Sequence, residues 1–171
     1  MRFKWVPEPP ASLEELRSVQ RAIPLVPASK SDCLARLGER TTQIDDRETA
    51  NEWLTFLRAL EAVEQVSGGY RRTREELTAE TLASRLQERL FGGRELYASL
   101  VAADEPLDVE SLLECGIDLP TWERHHHTDH QRVHRRRQRR LADWFVLCAV
   151  AEKTATGYRL TESERPDATT G

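Results

Sequence analysis

Lysine is nearly absent from this 171-residue chain: Lys4, Lys30 and Lys153 are the only three among 25 basic residues, so arginine outnumbers lysine 22 to 3. GC-rich coding gives such a bias by itself. Cysteine is also scarce. Cys33, Cys115 and Cys148 form no CxxC and are odd in number, which excludes a disulfide framework and the commonest zinc frames. Each sits in an apolar helical context, where cysteine serves as a small buried hydrophobe. No apolar run approaches the roughly 20 residues of a membrane-spanning helix. The opening "MRFKWVPEPPASLEEL" lacks the apolar stretch of a signal peptide, so a cytoplasmic location is expected. No Gly-rich phosphate loop, activated nucleophile signature or framed pair of acids is present. The chain is therefore expected not to be an enzyme and to carry no cofactor.

What the chain has is charge, unevenly placed. Charged residues make up 32% and hydrophobic ones 39%, a soluble and rather polar globular composition. The net charge is −4, yet residues 124–140 carry seven arginines against one acid, Asp129. An acidic body with one concentrated basic segment outlines a local anion-binding site. All five histidines fall between His125 and His134, immediately before and among those arginines.

Helix signals punctuate the chain. Ser12-x-x-Glu15 is a capping box, followed by Leu13, Leu16, Val19 and Ile23 at helical spacing and ended by Pro24 and Pro27. Ser29-x-x-Asp32 opens a second helix with Cys33, Leu34 and Leu37 inward. Asp45-x-x-Glu48 opens a third, striped by Ala50, Trp53, Leu54, Leu57 and Leu60. "AVEQV", "SGG" and "YRRT" then read as strand, tight turn and strand. Leu82, Leu86 and Leu90 mark a connecting helix that stops at Gly92-Gly93. After it, Arg94 to Ala103 gives a helix with Leu96, Leu100 and Val101 inward, Val109 to Cys115 a short one, and Asp129 to Cys148 a long one.

The order repeats. "FLRALEAVEQVSGGYRRT" (56–73) lies on "WFVLCAVAEKTATGYRLT" (144–161) at a constant offset of 88, with identities at Glu64/Glu152, Gly69/Gly157, Tyr70/Tyr158, Arg71/Arg159 and Thr73/Thr161. Four of the five cluster at the turn and returning strand. A helix passing into a hairpin that carries Gly-Tyr-Arg resembles the third helix and wing of winged helix-turn-helix proteins. The whole chain is also similar to small haloarchaeal proteins of this type, although −4 is a mild net charge for a salt-loving host. The resemblance implies a mainly α fold with small β-hairpin wings, in two tandem units at 11–73 and 93–162. Residues 74–92 would form the connecting helix, with extended or disordered tails at 1–10 and 163–171. It also implies a DNA-binding function with helix three in the major groove, while a minority of such proteins bind only other proteins. The second unit departs from the pattern through "IDLPTWERHHHT", inserted between its second and third helices.

On a helical wheel, Val133, Leu141, Trp144, Phe145 and Cys148 fall on the side expected to face the core. Arg132, Arg136, Arg139 and Asp143 share another side, with Arg135 beside them. The matching stretch of the first unit, "TTQIDDRETANE", is acidic. The expectation is a transcriptional regulator that meets duplex DNA through Arg132, Arg135, Arg136 and Arg139, with Arg159 adding a wing contact to phosphate. Tyr158 could also touch the DNA backbone. The first unit would position the protein or recruit a partner. The alternative is a tandem winged-helix adaptor binding proteins only. His126, His130 and His134, spaced i, i+4, i+8, could share a zinc ion with Cys115 or Asp129, or form a pH-responsive cluster. The surrounding arginines oppose a dication there, so no metal is assigned.

Overall fold

A computed structural model describes residue 3, residues 5–113 and residues 129–166; the side chains of residues 129–131 lie outside that description. Helices α1 (Leu13–Ala22), α2 (Lys30–Arg40) and α3 (Arg47–Ala59) precede a hairpin of β1 (Val63–Val66) and β2 (Gly69–Arg72). Next come α4 (Ala79–Arg89), α5 (Gly93–Ala102), α6 (Val109–Leu113), α7 (Asp129–Leu147) and a hairpin of β3 (Ala151–Lys153) and β4 (Tyr158–Leu160). Three helices and a hairpin thus occur twice. Among the described residues, no helix is long and apolar enough to cross a membrane.

The caps largely follow the side chains the sequence offers. The Ser12 hydroxyl accepts the Glu15 N–H, while the Glu15 carboxylate accepts the N–H of Ala11. Ser29 accepts from the Asp32 N–H. The third cap is Asp46, one residue beyond the expected Asp45. Its two carboxylate oxygens accept both the N–H and the hydroxyl of Thr49, a paired arrangement that fixes the start at Arg47.

Every identity of the 88-residue repeat has a structural duty. Glu64 lies opposite Arg71 in the first hairpin and pairs with it at 2.6 Å; Glu152 lies opposite Arg159 in the second and pairs with it likewise. Thr73 and Thr161 each donate a hydroxyl to the turn that joins helix to hairpin. Tyr70 exchanges two backbone hydrogen bonds with Ala28, and Tyr158 does the same with Leu107. Ala28 and Leu107 thereby add a one-residue third strand to each wing, between the first and second helices of each set. Gly69 (φ +132°) and Gly157 (φ +155°) precede these tyrosines. A Cβ at either would overlap the carbonyl of Ala28 or Leu107, so the glycine permits the third strand to approach. The helix-to-hairpin turn also repeats: Glu61 and Ala149, again 88 apart, both adopt left-handed backbone at φ 58° and 60°.

One apolar cluster runs through both sets of elements. At its centre the Trp144 ring stands 4.6 Å from Phe56 and 6.0 Å from Trp53, centroid to centroid. Phe56 and Trp144 are equivalent under the repeat, so like meets like across the α3–α7 contact, the pattern of an isologous interface. Residues 5–10, expected as an extended or disordered tail, run extended across α7. The Trp144 indole N–H donates to the Pro7 carbonyl at 2.8 Å and Arg140 donates to that of Val6. Phe3 adds a parallel bridge to Leu90. Leu82, Leu86 and Leu90 are fully buried, as their spacing predicts.

Two expected core residues are not buried. Val101 lies on the outer side of α5, turned away from Leu96 and Leu100. Val133 lies on the open first half of α7, where nothing described packs over it until Gln138 and Leu141.

The left-handed positions give a pair of stability effects of opposite sign. Gly157→Ala should cost about 2 kcal/mol or more, through backbone strain and the clash with Leu107. Ala149→Gly should gain about 0.5 kcal/mol, because relief of left-handed strain exceeds the added chain entropy. Urea unfolding of both variants checks the pair.

Candidate nucleic-acid interface

The first half of α7 is where the sequence concentrates its positive charge, and the fold leaves that half open. Arg132, Arg135, Arg136 and Arg139 are all exposed. Their spacing returns to one side of the helix every three to four residues, the same side the wheel predicts. The opposite side carries Leu141, Trp144, Phe145 and Cys148 into the core. A ridge of guanidinium groups therefore sits on a helix anchored from beneath by its second half.

These arginines differ in their neighbours. Arg135 is paired with Glu110 of α6, and Arg159 on β4 with Glu152 of β3; Arg165 reaches the same Glu152 at 3.9 Å. Among the described residues no carboxylate lies within salt-bridge distance of Arg132, Arg136 or Arg139. Exposed pairs of this kind contribute little to stability, so their main consequence is to lower the positive potential at two of the five positions.

Tyr158 is not available as a surface contact. It is buried, and its hydroxyl donates to Asp143 on α7 at 2.6 Å. Burial, first, and the Asp143 carboxylate, second, push its phenol well above the usual range, so it stays protonated and remains a donor. Lys153 lies over its ring at 5.5 Å. The tyrosine thus ties the second wing to α7. Asp143, which shares the arginine side on the wheel, is occupied by this bond.

Helix α3 presents a different surface. Ala50, Trp53, Leu54, Phe56, Leu57 and Ala59 are buried, partly against α7, and only Arg47 and Glu48 are fully exposed. Arg58 lies over the Tyr70 ring and hydrogen-bonds Gln65. The helix equivalent to α7 therefore has no free basic face.

The histidine hypothesis falls mostly outside the described residues: His125, His126, His127 and Cys115, and the side chains of Asp129 and His130. His134 is half-buried, with its Nδ1 3.1 Å from an Arg137 guanidinium nitrogen. Among the described residues no three His, Cys, Asp or Glu side chains are grouped as a metal site. Cys33 and Cys148 are buried free thiols, and burial pushes Cys148 up to about 12.

Sequence reasoning missed the ion pairs and the Tyr158–Asp143 bond. The cross-strand position of Glu152 and Arg159 is the one signal that could have exposed a pair, since both lie in the repeated hairpin motif.

Replacing the buried phenol isolates its bond. Tyr158→Phe should cost about 1–3 kcal/mol in chemical unfolding, by removing a hydrogen bond to a charged acceptor. Hydrogen exchange should rise at β3 and β4 while β1 and β2 keep their protection.

No curated protein and no solved structure matches the chain significantly. The family described as the halobacterial double winged helix domain matches residues 1–165. Winged-helix domains are typically non-enzymatic modules, and the family points to DNA binding. The chain belongs to the halobacterial double winged helix domain family.

Proposed function

We propose that this protein is a transcriptional regulator whose two winged-helix units, 11–73 and 93–162, have divided their labour. The second unit meets duplex DNA through the open half of α7, and the first braces it. The observation that carries this reading is the ridge of Arg132, Arg136 and Arg139, exposed on one side of a helix whose other side is locked in the core. Bidentate guanidinium groups spaced along two turns suit successive phosphates, with a base edge in reach of one of them. The first unit contributes no equivalent contact, because α3 is spent on packing.

Arg135 and Arg159 take secondary roles here. Each must leave, or share, a carboxylate before it can neutralise a phosphate. A second reading draws on those same pairs: an adaptor whose α7 ridge docks on an acidic protein surface, with Glu110 and Glu152 setting the register. It predicts no complex with duplex DNA at any salt concentration.

Fluorescence anisotropy with a random-sequence duplex across a salt titration tests the DNA reading. The double variant Arg132→Ala/Arg136→Ala should lower the slope of log K against log salt by about 2, one contact being worth roughly 0.9. Glu110→Gln should strengthen binding by releasing Arg135. An unchanged slope in the double variant would remove the ridge from the contact.

A further inference from the structure

Trp5 and Val133 are exposed at 60% and 53%, and both line one groove of about 330 Å³ beside α7. That volume is near the lower end of small-molecule sites, which run from roughly 300 to 1,000 Å³. A bicyclic ring or a medium acyl chain fits it; a partner helix does not.

The other lining groups are mostly cationic. Arg136 and Arg140 are one helical turn apart on α7, so both project toward the same side. Arg140 spends one Nη1 donor on the Val6 carbonyl at 3.2 Å, and a guanidinium has five. Arg137 also lines the groove and lies over the Phe91 ring at 5.1 Å. Among the described lining residues Glu52 of α3 is the single acid. Its burial raises the carboxyl above the usual range, against the opposing pull of Arg140, so its negative charge is held at a cost. Three guanidinium groups against one carboxylate make the described lining positive, with an indole and an isopropyl group exposed beside them. Such a combination suits a ligand that is apolar at one end and anionic at the other.

We propose that this groove binds a small amphipathic carboxylate, its apolar body between Trp5 and Val133 and its carboxylate on Arg136 and Arg140. Arg136 also belongs to the exposed α7 ridge, so an occupied groove withdraws one guanidinium from that ridge and weakens its hold on DNA. This last consequence rests on the DNA-binding reading above; the binding itself does not.

The test is isothermal titration calorimetry of the full chain with 2-naphthoate, and with neutral 2-naphthylmethanol as the comparison. Naphthoate should bind one to one and at least about tenfold more tightly than the alcohol, as expected for a charge-assisted bidentate contact. Trp5→Ala and Arg136→Gln should each weaken naphthoate about fivefold or more, while Glu52→Gln should tighten it. Trp5 and Arg136 are exposed, so neither variant threatens the fold. Absence of naphthoate binding, equal affinity for the alcohol, or indifference to all three variants would overturn the proposal. Duplex affinity is then measured with and without naphthoate. Weakening by naphthoate supports the coupling, and unchanged affinity overturns it. If free protein bound no duplex yet still took up naphthoate one to one, the groove would stand and the DNA reading would fall.

Discussion

The contact between Trp144 and the Phe56–Trp53 pair decides what each helix is free to do. It joins equivalent helices of the two repeats through large rings that are essentially inaccessible to water. Removing an aromatic side chain from such a site costs about 3–5 kcal/mol, a large share of a domain's net stability. The indole N–H also fastens the N-terminal arm through Pro7, so one residue holds three segments together. Because α3 and α7 meet at this point, their exposed surfaces are restricted. The second half of α7 and most of α3 are committed to the core, and only the first half of α7 projects.

The two repeats have diverged along this division. Their hairpins keep the same parts: a cross-strand glutamate–arginine pair, a threonine on the preceding turn, and a glycine that lets a third strand reach the tyrosine. These features preserve local geometry and need no ligand. The helices before them have opposite characters. In the first repeat the aromatic face is packed and the helix exposes only Arg47 and Glu48; in the second an arginine ridge stands on an anchored base. A shared scaffold with one basic helix would suit the proposed division, in which a single edge of the double domain binds. The amphipathic groove beside Val133 lies where that edge meets the N-terminal arm, so a ligand there and a partner on α7 would draw on the same Arg136.

Much of the architecture was legible in the sequence because its signals are local. Ser12 and Ser29 cap the helices they precede, and the Gly-Tyr-Arg repeat marks both wings. The displacement from Asp45 to Asp46 shows the limit of that reasoning, since adjacent acids offer equal sequence signals and only geometry picks one. Val133 shows another limit. A wheel gives direction around a helix and does not say whether anything packs there, so a residue aligned with Leu141 two turns away can still be exposed. The ridge of Arg132, Arg135, Arg136 and Arg139 was visible as a pattern. The acids opposite Arg135 and Arg159 leave no local pattern: Glu110 is 25 residues from its partner, and Glu152 meets Arg159 only through the register of the hairpin. The one-residue strands at Ala28 and Leu107 are too short to leave any periodicity.

Hydrogen exchange of the full chain, with and without saturating duplex DNA, tests the central assignment most directly. New protection is expected in residues 132–140 of α7, with a smaller change in β3–β4 and unchanged exchange in α3 and β1–β2. Protection centred on α3 or the first hairpin, with α7 unaffected, would contradict it.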